Sequence, residues 1–403
     1  MSASITRRML LRDGALGAAA LALPGIFASR LSFAAPASGE QRFVLVLLRG
    51  ALDGLAAAPP IGDPDYARLR GALSLDGAGT LLQLDDLFAL HPALQFLGEQ
   101  WQQRRLTLLH AVATPYRERS HFDAQDVLET GFARPHAAQS GWLNRALAGL
   151  PRGTGGTAPA QPGVALGAGV PMVMRGAIEV ASWSPGRQRQ LEDDTLLRLA
   201  DLYAGDALLS RRLADARAAQ QLAGSMEGMA GPGSGSQLAK AAKTAAGFLL
   251  SAGGPRIAVM ETTGWDTHAN QGREQGALAA RLGALDNALR TLQMELGAAW
   301  AHTTVLVATE FGRTVAVNGT NGTDHGTGAA AFLVGGAVRG RVLADWPGLA
   351  APQLYQGRDL APTLDLRAVI KSLLRDHLGV GPEYLDRQVF PDSGKLPWIA
   401  GLV

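Results

Sequence analysis

The 403-residue chain contains no cysteine, which excludes disulfide bonds, thiolate metal ligands and a cysteine nucleophile. Aromatic residues make up only 6% of it, and its basic residues are scattered, which argues against a nucleic-acid-binding surface. Charged residues are also few, at 18%, whereas hydrophobic residues reach 47%, a balance typical of a globular protein. Any metal site in this chain must therefore be built from oxygen ligands and from some of its eight histidines.

The N-terminal segment, residues 1–37, has the features of a twin-arginine export signal. Arg7 and Arg8 precede an apolar stretch of about fifteen residues, and small residues that suit cleavage follow. The apolar stretch is too short, and too rich in glycine and alanine, for a membrane span. We therefore expect the twin-arginine export machinery as a partner, a periplasmic or otherwise extracytoplasmic location, and no stable membrane span after cleavage. The alternative is a chance arginine pair on an uncleaved anchor.

Removal of this segment changes the charge of the protein. Residues 1–35 contain four arginines and one aspartate, so the formal charge falls from +2 to about −1. The excess of positive charge belongs to the signal, and it is no evidence for a nucleic-acid partner.

Apolar runs that alternate with helical patterns dominate the rest of the chain. Buried strands are predicted at 42–50, 106–113, 256–262, 303–312 and 329–337, with shorter ones at 163–167 and 170–176. Helices are predicted at 91–105, 121–131, 237–253, 274–296 and 364–379. This alternation predicts one α/β domain over residues 38–403, with a mostly parallel central sheet flanked by helices. Residues from about 150 to 235, with helices at 191–223 and a Gly/Ser-rich connector at 224–237, are predicted to form a helical insertion or cap.

Acidic and histidine side chains follow the predicted strands. In open parallel sheets, ligands bind beyond the carboxyl ends of the strands. The residues that fall there, directly or through a loop, are Asp53, Ser120, His121, Glu261, Asp266, His268, Glu310, Asp324 and His325. Carboxylates and imidazoles suit Zn²⁺, Mn²⁺, Mg²⁺ or Ca²⁺, so we predict a site for one or two divalent cations.

Several of these residues also have a purely structural interpretation. Asp53 precedes a glycine and fits a turn. Ser120 fits the N-cap of a helix, with Asp123 completing a capping box. Glu261 and Glu310 fit ion pairs with arginines.

Five stretches in a fixed order carry a resemblance to a known family. The stretches "LRGALDGL", "RSHFDAQD", "GWDTHANQ", "TEFGRT" and "GTDHG" resemble the bacterial exported proteins of domain-of-unknown-function family 1501, over residues 42–395. This family is sulfatase-like and similar to the alkaline phosphatase superfamily. The resemblance implies an alkaline-phosphatase-like α/β fold.

The resemblance also implies roles for single residues. Asp53 matches the superfamily's metal-binding aspartate after the first strand, and Ser120 matches the nucleophile that opens the helix after the second strand. Glu261 and Asp266 match metal ligands five residues apart, and His325 matches the final histidine ligand. His121 is a further candidate ligand, and Arg119 is a candidate clamp for the ester oxygens.

Two positions depart from the superfamily pattern. His268 lies two residues beyond Asp266, where the superfamily ligand lies four beyond. The chain reads Glu310-Phe311 where the superfamily has an Asp-His ligand pair, and an apolar ring cannot replace an imidazole ligand. One metal position therefore loses a ligand, and His121 is the candidate to replace it.

These observations predict an exported metal-dependent hydrolase of phosphate or related anionic esters, with Ser120 as a metal-activated nucleophile. The expected substrate is a small anionic ester or a glycan or envelope component. A standard sulfatase is disfavoured because the stretch "SHFDA" lacks the sequence context for formylglycine. The alternative is a non-catalytic periplasmic binding or assembly protein on a degraded alkaline-phosphatase-like scaffold, which Phe311 favours.

Overall fold

Eleven strands follow the apolar runs of the described chain. The computed structural model describes residues 40–77, 81–151, 161–167, 169–183 and 237–403. The predicted signal at 1–37 and the predicted helices at 191–223 lie outside these residues, as does the connector that follows them up to residue 236. The strands are β1 (Arg42–Arg49), β2 (Leu82–Gln83), β3 (Ala89–Leu90), β4 (Leu106–Ala113), β5 (Gly163–Leu166), β6 (Ala181–Trp183), β7 (Ile257–Thr263), β8 (Thr303–Thr309), β9 (Ala329–Val334), β10 (Arg341–Leu343) and β11 (Leu364–Asp365).

Nine of the described strands form one sheet, in the order β10-β4-β9-β8-β1-β7-β5-β6, with β11 also paired to β4. All pairs in this sheet are parallel except those of β9, which runs antiparallel to β4 and to β8. Antiparallel neighbours can be joined without a crossover helix. The loop of residues 310–328 therefore starts and ends at the same edge of the sheet, the edge where β1 and β7 also end.

Strand β1 shows why the sheet is buried on both faces. Val44, Val46 and Leu48 point into one apolar cluster, and the alternate residues of the strand point into a second cluster on the other face. This continuous apolar run is what a central parallel strand requires, because helices cover it on both sides. The prediction of a mostly parallel sheet between helices is confirmed.

Nine α-helices of the described residues pack on and around this sheet. They are α1 (Gly54–Ala57), α2 (Tyr66–Arg70), α3 (Gln95–Gln102), α4 (His121–Thr130), α5 (Trp142–Ala148), α6 (Gln237–Leu250), α7 (Ala277–Leu296), α8 (Leu366–Asp376) and α9 (Pro382–Tyr384). Helices α3, α6 and α7 supply side chains to the first apolar cluster, and α5 and α8 supply side chains to the second. Among the described residues, no helix is both long and apolar enough to span a bilayer.

The structure corrects two local predictions. The stretch 170–176 is not a strand, because Pro171 begins a 3₁₀ turn at Met172–Met174 and Asn144 binds the carbonyl of Met174 at 2.8 Å. The capping box at α4 is also absent. Ser120 is the N-cap residue but makes no side-chain cap bond, and the Tyr116 hydroxyl donates to the Asp123 carboxylate at 3.2 Å instead.

Candidate metal centre

Three histidines and one aspartate meet at the carboxyl edge of the sheet. His121 is the first residue of α4, while Asp266 and His268 lie in the loop that follows β7. His325 lies in the loop between β8 and β9, where it pairs with Arg313 in an isolated antiparallel bridge. Three segments that are distant in sequence thus supply one cluster at the carboxyl edge, where ligands bind in open parallel sheets.

The Nε2 atoms and the carboxylate face one another at short range. The Nε2 atom of His325 lies 3.0 Å from that of His121 and 3.0 Å from that of His268. Oxygens of Asp266 lie 3.4 Å from His121 Nε2, 3.0 Å from His268 Nε2 and 3.2 Å from His325 Nε2. His121, Asp266 and His325 each place one ligand atom within 4.8 Å of the other two. His268 joins this group through Asp266 and His325.

The opposite ring nitrogens fix the tautomer of each histidine. Each Nδ1 atom faces an oxygen acceptor, so it carries the ring hydrogen and leaves a lone pair on Nε2. The acceptors are the Glu310 carboxylate at 2.8 Å for His121, the Arg119 carbonyl at 3.0 Å for His325 and the Asp324 carboxylate at 3.2 Å for His268. Such a partner behind each ring is the usual support of a metal-binding histidine.

This arrangement fits a divalent cation. Neutral rings that aim lone pairs at one another do not attract, and a single shared proton joins only one pair of them. The separations of 3.0–3.4 Å resemble the ~3.3 Å between ligands on a tetrahedral zinc ion with bonds of about 2.0–2.1 Å. The donor set of imidazoles and one carboxylate suits Zn²⁺ better than Mg²⁺ or Ca²⁺, which prefer oxygen ligands.

Glu310 contacts the Nδ1 atom of His121, on the side of the ring opposite the facing Nε2 atoms. Its Oε1 accepts from the Gly50 amide at 2.8 Å and from the Gln125 amide at 3.0 Å, as well as from His121. Burial alone would raise the pKa of Glu310, but its bonds to His121 and Gln125 outweigh burial and lower it. Glu310 is therefore an anion that orients the His121 ring.

The electrostatics of the cluster favour a cation between its members. The bond to Glu310 raises the pKa of His121, whereas burial and the neighbouring His121 lower the pKa of His325. Burial works against ionisation of Asp266, but the bond and the charge of Arg313 lower its pKa overall. Asp266 is thus a carboxylate at neutral pH, held on one side by Arg313.

Asp53 lies next to Arg70 rather than beside the facing histidines. Its carboxylate forms a fully buried ion pair with Arg70 and accepts from the Gln271 amide at 2.7 Å. Gln271 in turn accepts from Thr323, whose hydroxyl accepts from Arg313. A chain of buried polar bonds therefore connects Asp53 to the arginine that holds Asp266.

Glu261 is held by an arginine as well. Its Oε2 lies 2.8 Å from Arg49, whose guanidinium also contacts Glu129 at 2.8 Å and Gln125 at 3.0 Å. In this arrangement Glu261 belongs to an ion-pair group beside the cluster, and its side chain is partly exposed there.

Ser120 and Arg119 lie at the start of α4, directly before His121. The Ser120 side chain is in hydrogen-bond contact with Tyr116, whose pKa is raised, chiefly by burial. Arg119 has a φ of +63°, and this backbone turn presents its carbonyl to His325. Its guanidinium is bound to the buried Asp359 at 2.7 Å and to Gln356 at 2.7 Å, so its charge is already paired.

Sequence reasoning missed two supports of the cluster, Gly50 and Gln125. Gly50 has a φ of +119°, and a Cβ atom there would lie 2.7 Å from the Asp266 amide nitrogen. The "RG" at the end of the first apolar run was the available signal for it. Phe311, which was recognised as unusual, stacks on His121 with ring centroids 4.9 Å apart and packs 5.2 Å from His325. Phe311 therefore packs against one side of the cluster and limits the orientation of the His121 and His325 rings.

A family model described as a protein of unknown function, DUF1501, matches residues 41–386. The chain belongs to this family. The DUF1501 match spans the sheet and all members of the cluster, and it confirms the family predicted from the five sequence stretches. A search of the curated proteins found no match to the chain.

Solved structures resemble this DUF1501 protein at low sequence identity. The C-terminal periplasmic domain of EptC from Escherichia coli, in complex with Zn, matches with a TM-score of 0.41 and 11% identity, covering 89% of this chain and 88% of that one. Ps i-CgsB in complex with a neocarrahexaose gives 0.41 and 10%, covering 86% and 74%. The phosphonate monoester hydrolase of Agrobacterium radiobacter gives 0.36 and 11%, covering 85% and 75%. These TM-scores are low, and the resemblance says nothing about reaction or substrate.

Proposed function

We propose that this protein is an exported, zinc-dependent hydrolase of phosphate or related anionic esters. One observation carries the proposal: three imidazoles turn their Nε2 lone pairs toward one another beside a carboxylate, at a partly exposed sheet edge. His121, Asp266 and His325 would hold the ion, and His268 would lie beside an open position. A bound divalent cation supplies positive charge that lowers the pKa of a hydroxyl and stabilises an oxyanion.

Ser120 is the proposed nucleophile. Its hydroxyl does not cap α4 but contacts Tyr116, and from this position it would attack a phosphorus or sulfur atom held beside His121. The first turn of this ten-residue helix offers backbone N–H groups and a partial positive charge to an anionic ester. The Ser120 oxygen, having lost its proton, would form a bond to that atom as the bond to the alkoxide breaks, and the alkoxide would take up a proton and leave as the alcohol. Water would then attack the serine ester, which releases phosphate or sulfate and returns a proton to the serine oxygen.

Arg358 is the proposed cation for the ester oxygens. Its side chain is 43% exposed, and it donates to the His325 carbonyl at 2.7 Å. The Nε atom of Arg358 lies 3.7 Å from Asp359, whereas Arg313 and Arg119 form closer ion pairs, with Asp266 and with Asp359. We assign Arg119 the role of supporting His325 through its backbone carbonyl.

The direct test is turnover of the zinc-loaded protein on aryl phosphates, phosphodiesters and sulfate esters. Ser120→Ala is expected to abolish hydrolysis and to leave zinc affinity within about threefold of the original, because Ser120 is not among the facing ligand atoms. Ser74→Ala, in a surface turn, is the matched control and should retain full activity. Full activity of Ser120→Ala would remove Ser120 from the mechanism.

A second candidate, a non-catalytic zinc-binding protein of the cell envelope, is favoured by the position of His268. If this ring completes four protein ligands, the site is closed, and closed sites are structural rather than catalytic. The carboxylates of Asp53 and Glu261 form ion pairs with arginines, which favours the same interpretation. His268→Ala separates the two: the hydrolase retains zinc and activity, whereas the structural site loses most of its zinc affinity.

The export signal belongs to the same proposal. Lysine substitution of both Arg7 and Arg8 should hold the protein in the cytoplasm with an intact N-terminus, whereas the unaltered chain should be cleaved near residue 37. Fractionation with N-terminal mass spectrometry measures both outcomes. Export of the doubly substituted chain would contradict a twin-arginine route.

A further inference from the structure

A pocket of about 670 Å³ lies beside the candidate metal centre. It is lined by α4, the end of β1, the end of β7 and the turn around Met172. Gln125 connects it to the cluster, because this one side chain donates to Glu310 and accepts from Arg49. Glu310 in turn binds His121. Gln125 and Glu310 therefore connect the pocket to the Nδ1 side of the His121 ring.

The walls of the pocket carry charges of both signs. Arg49 and Arg175 line it together with three carboxylates, those of Asp126, Glu129 and Glu261. The carboxylates outnumber the arginines by one, so an anionic group would be disfavoured here. A hydrocarbon chain would be disfavoured as well, because it would remove water from these charges without replacing the lost hydrogen bonds.

Most of these charged groups are held in place before any ligand arrives. Glu129 accepts from Arg49 at 2.8 Å and from the Val173 amide at 3.0 Å, and its side chain is almost fully buried. Arg49 also binds Glu261, whose Oε2 takes this contact and whose side chain is 23% exposed. A neutral ligand with several hydroxyls can donate to the carboxylates and accept from the guanidinium without breaking this group.

Phe122 supplies the apolar surface of the pocket. It lies in the first turn of α4, directly after His121, and its side chain is 86% exposed. A large aromatic ring exposed to this extent, at the edge of a polar pocket, offers a flat face to the flat apolar face of a ring-shaped ligand. Polar walls with both signs of charge, together with one exposed aromatic face, match the surface of a sugar ring.

We propose that this pocket binds the sugar part of a sugar phosphate or related sugar ester, with the ring stacked on Phe122 and its hydroxyls bonded to Glu261 and Arg49. The proposal rests on the proposed function only for the position of the ester group. The ester lies at the start of α4, and the sugar to which it is attached extends across Phe122 into the pocket.

The test measures binding of unesterified sugars, so that it does not depend on hydrolysis. Methyl glycosides of neutral hexoses and of N-acetylhexosamines are titrated into the full protein, with and without zinc, by ligand-observed nuclear magnetic resonance. At least one glycoside is expected to bind in both states. Phe122→Ala should weaken that binding about tenfold, while Phe122→Tyr retains it. Glu261→Gln should weaken it as well.

Met294→Ala is the matched control, because Met294 is an apolar side chain 74% exposed on α7. Hexanol, p-cresol and choline test an alkyl, an aromatic and a cationic occupant. The proposal is overturned if no glycoside binds, or if the Phe122→Ala variant binds glycosides as tightly as the unaltered protein. It is also overturned if hexanol, p-cresol or choline binds and the glycosides do not. If glycosides bind but no ester is hydrolysed, the pocket is supported and the proposed hydrolase alone is refuted.

Discussion

Replacement of Asp53 by asparagine separates a structural role for this residue from a role as metal ligand. The side chains of Arg70 and Asp53 are 0% and 1% exposed, so their ion pair is shielded from water. Apart from Asp53, the Arg70 guanidinium contacts the carbonyls of Thr314 and Val315, both at 3.3 Å. Asp53→Asn therefore leaves a buried positive charge with weak neutral partners.

The cost follows from this geometry. Removal of one partner from a buried pair typically costs about 3–5 kcal/mol, because the remaining charge stays out of water. Asp65→Asn is the control, since it breaks the pair of Asp65 with Arg68 on the surface, where the Arg68 side chain is 65% exposed. That change should cost roughly 0.2–1 kcal/mol. The comparison tests burial, not the presence of an ion pair as such.

Urea unfolding of the metal-free protein measures the stability loss, and competition with a zinc chelator measures affinity. We expect Asp53→Asn to lower the free energy of unfolding by about 3–5 kcal/mol and to change zinc affinity by less than roughly tenfold. A further Arg70→Met substitution should restore part of the stability. The reasoning is refuted if stability is unchanged while zinc affinity falls more than a hundredfold, since that result would make Asp53 a ligand.

Three further predictions concern the centre and the core. Glu310→Gln should weaken zinc binding roughly 10–100-fold in chelator competition, whereas Glu295→Gln, in a surface pair with Lys243, should not; equal affinity would contradict the role given to Glu310. Gly50→Ala should reduce both stability and zinc affinity, because the new Cβ meets the Asp266 backbone; unchanged unfolding and affinity would contradict this. Burial lowers the pKa of His110 to about 4. As pH falls from 6.5 toward 4, the His110 imidazole is therefore protonated in the unfolded chain before it is protonated in the folded protein, and the free energy of unfolding decreases by about 3 kcal/mol over that range. His110→Gln should make this pH dependence shallower in urea unfolding without abolishing it, because burial lowers the pKa of His377 to about 4 as well, whereas the exposed His136→Gln should leave it unchanged; an unchanged slope in His110→Gln would contradict the assignment.

The strands were predictable because their apolar runs are long and bounded. The run 106–113 predicted the limits of β4 correctly, since every one of its residues is buried. The direction of β9 could not be predicted, because six buried residues look alike in a parallel and in an antiparallel strand. The apolar stretch 170–176 was misread because periodicity does not distinguish a short strand from a 3₁₀ turn after Pro171.

The cluster was predictable in composition but not in detail. The rule that carboxyl ends of strands share an edge brings Asp266 and His325 together although they are far apart in sequence. It does not show which carboxylates face the cluster. Asp53 and Glu261 follow strands as expected, but their carboxylates form ion pairs with Arg70 and Arg49. Only the tertiary packing determines these pairs, so the sequence pattern could not show them. The spacing of residues likewise could not show that Glu310 lies behind His121.

Zinc titration of the chelator-treated protein, followed by calorimetry, tests the convergence of the histidine rings most directly. We expect one tightly bound ion per chain, with binding lost or severely weakened in His121→Ala and in His325→Ala and retained in His136→Ala. An X-ray absorption spectrum of the loaded protein should show imidazole nitrogen at about 2.0–2.1 Å from zinc. Failure to bind zinc, or binding that survives loss of both His121 and His325, would contradict the account.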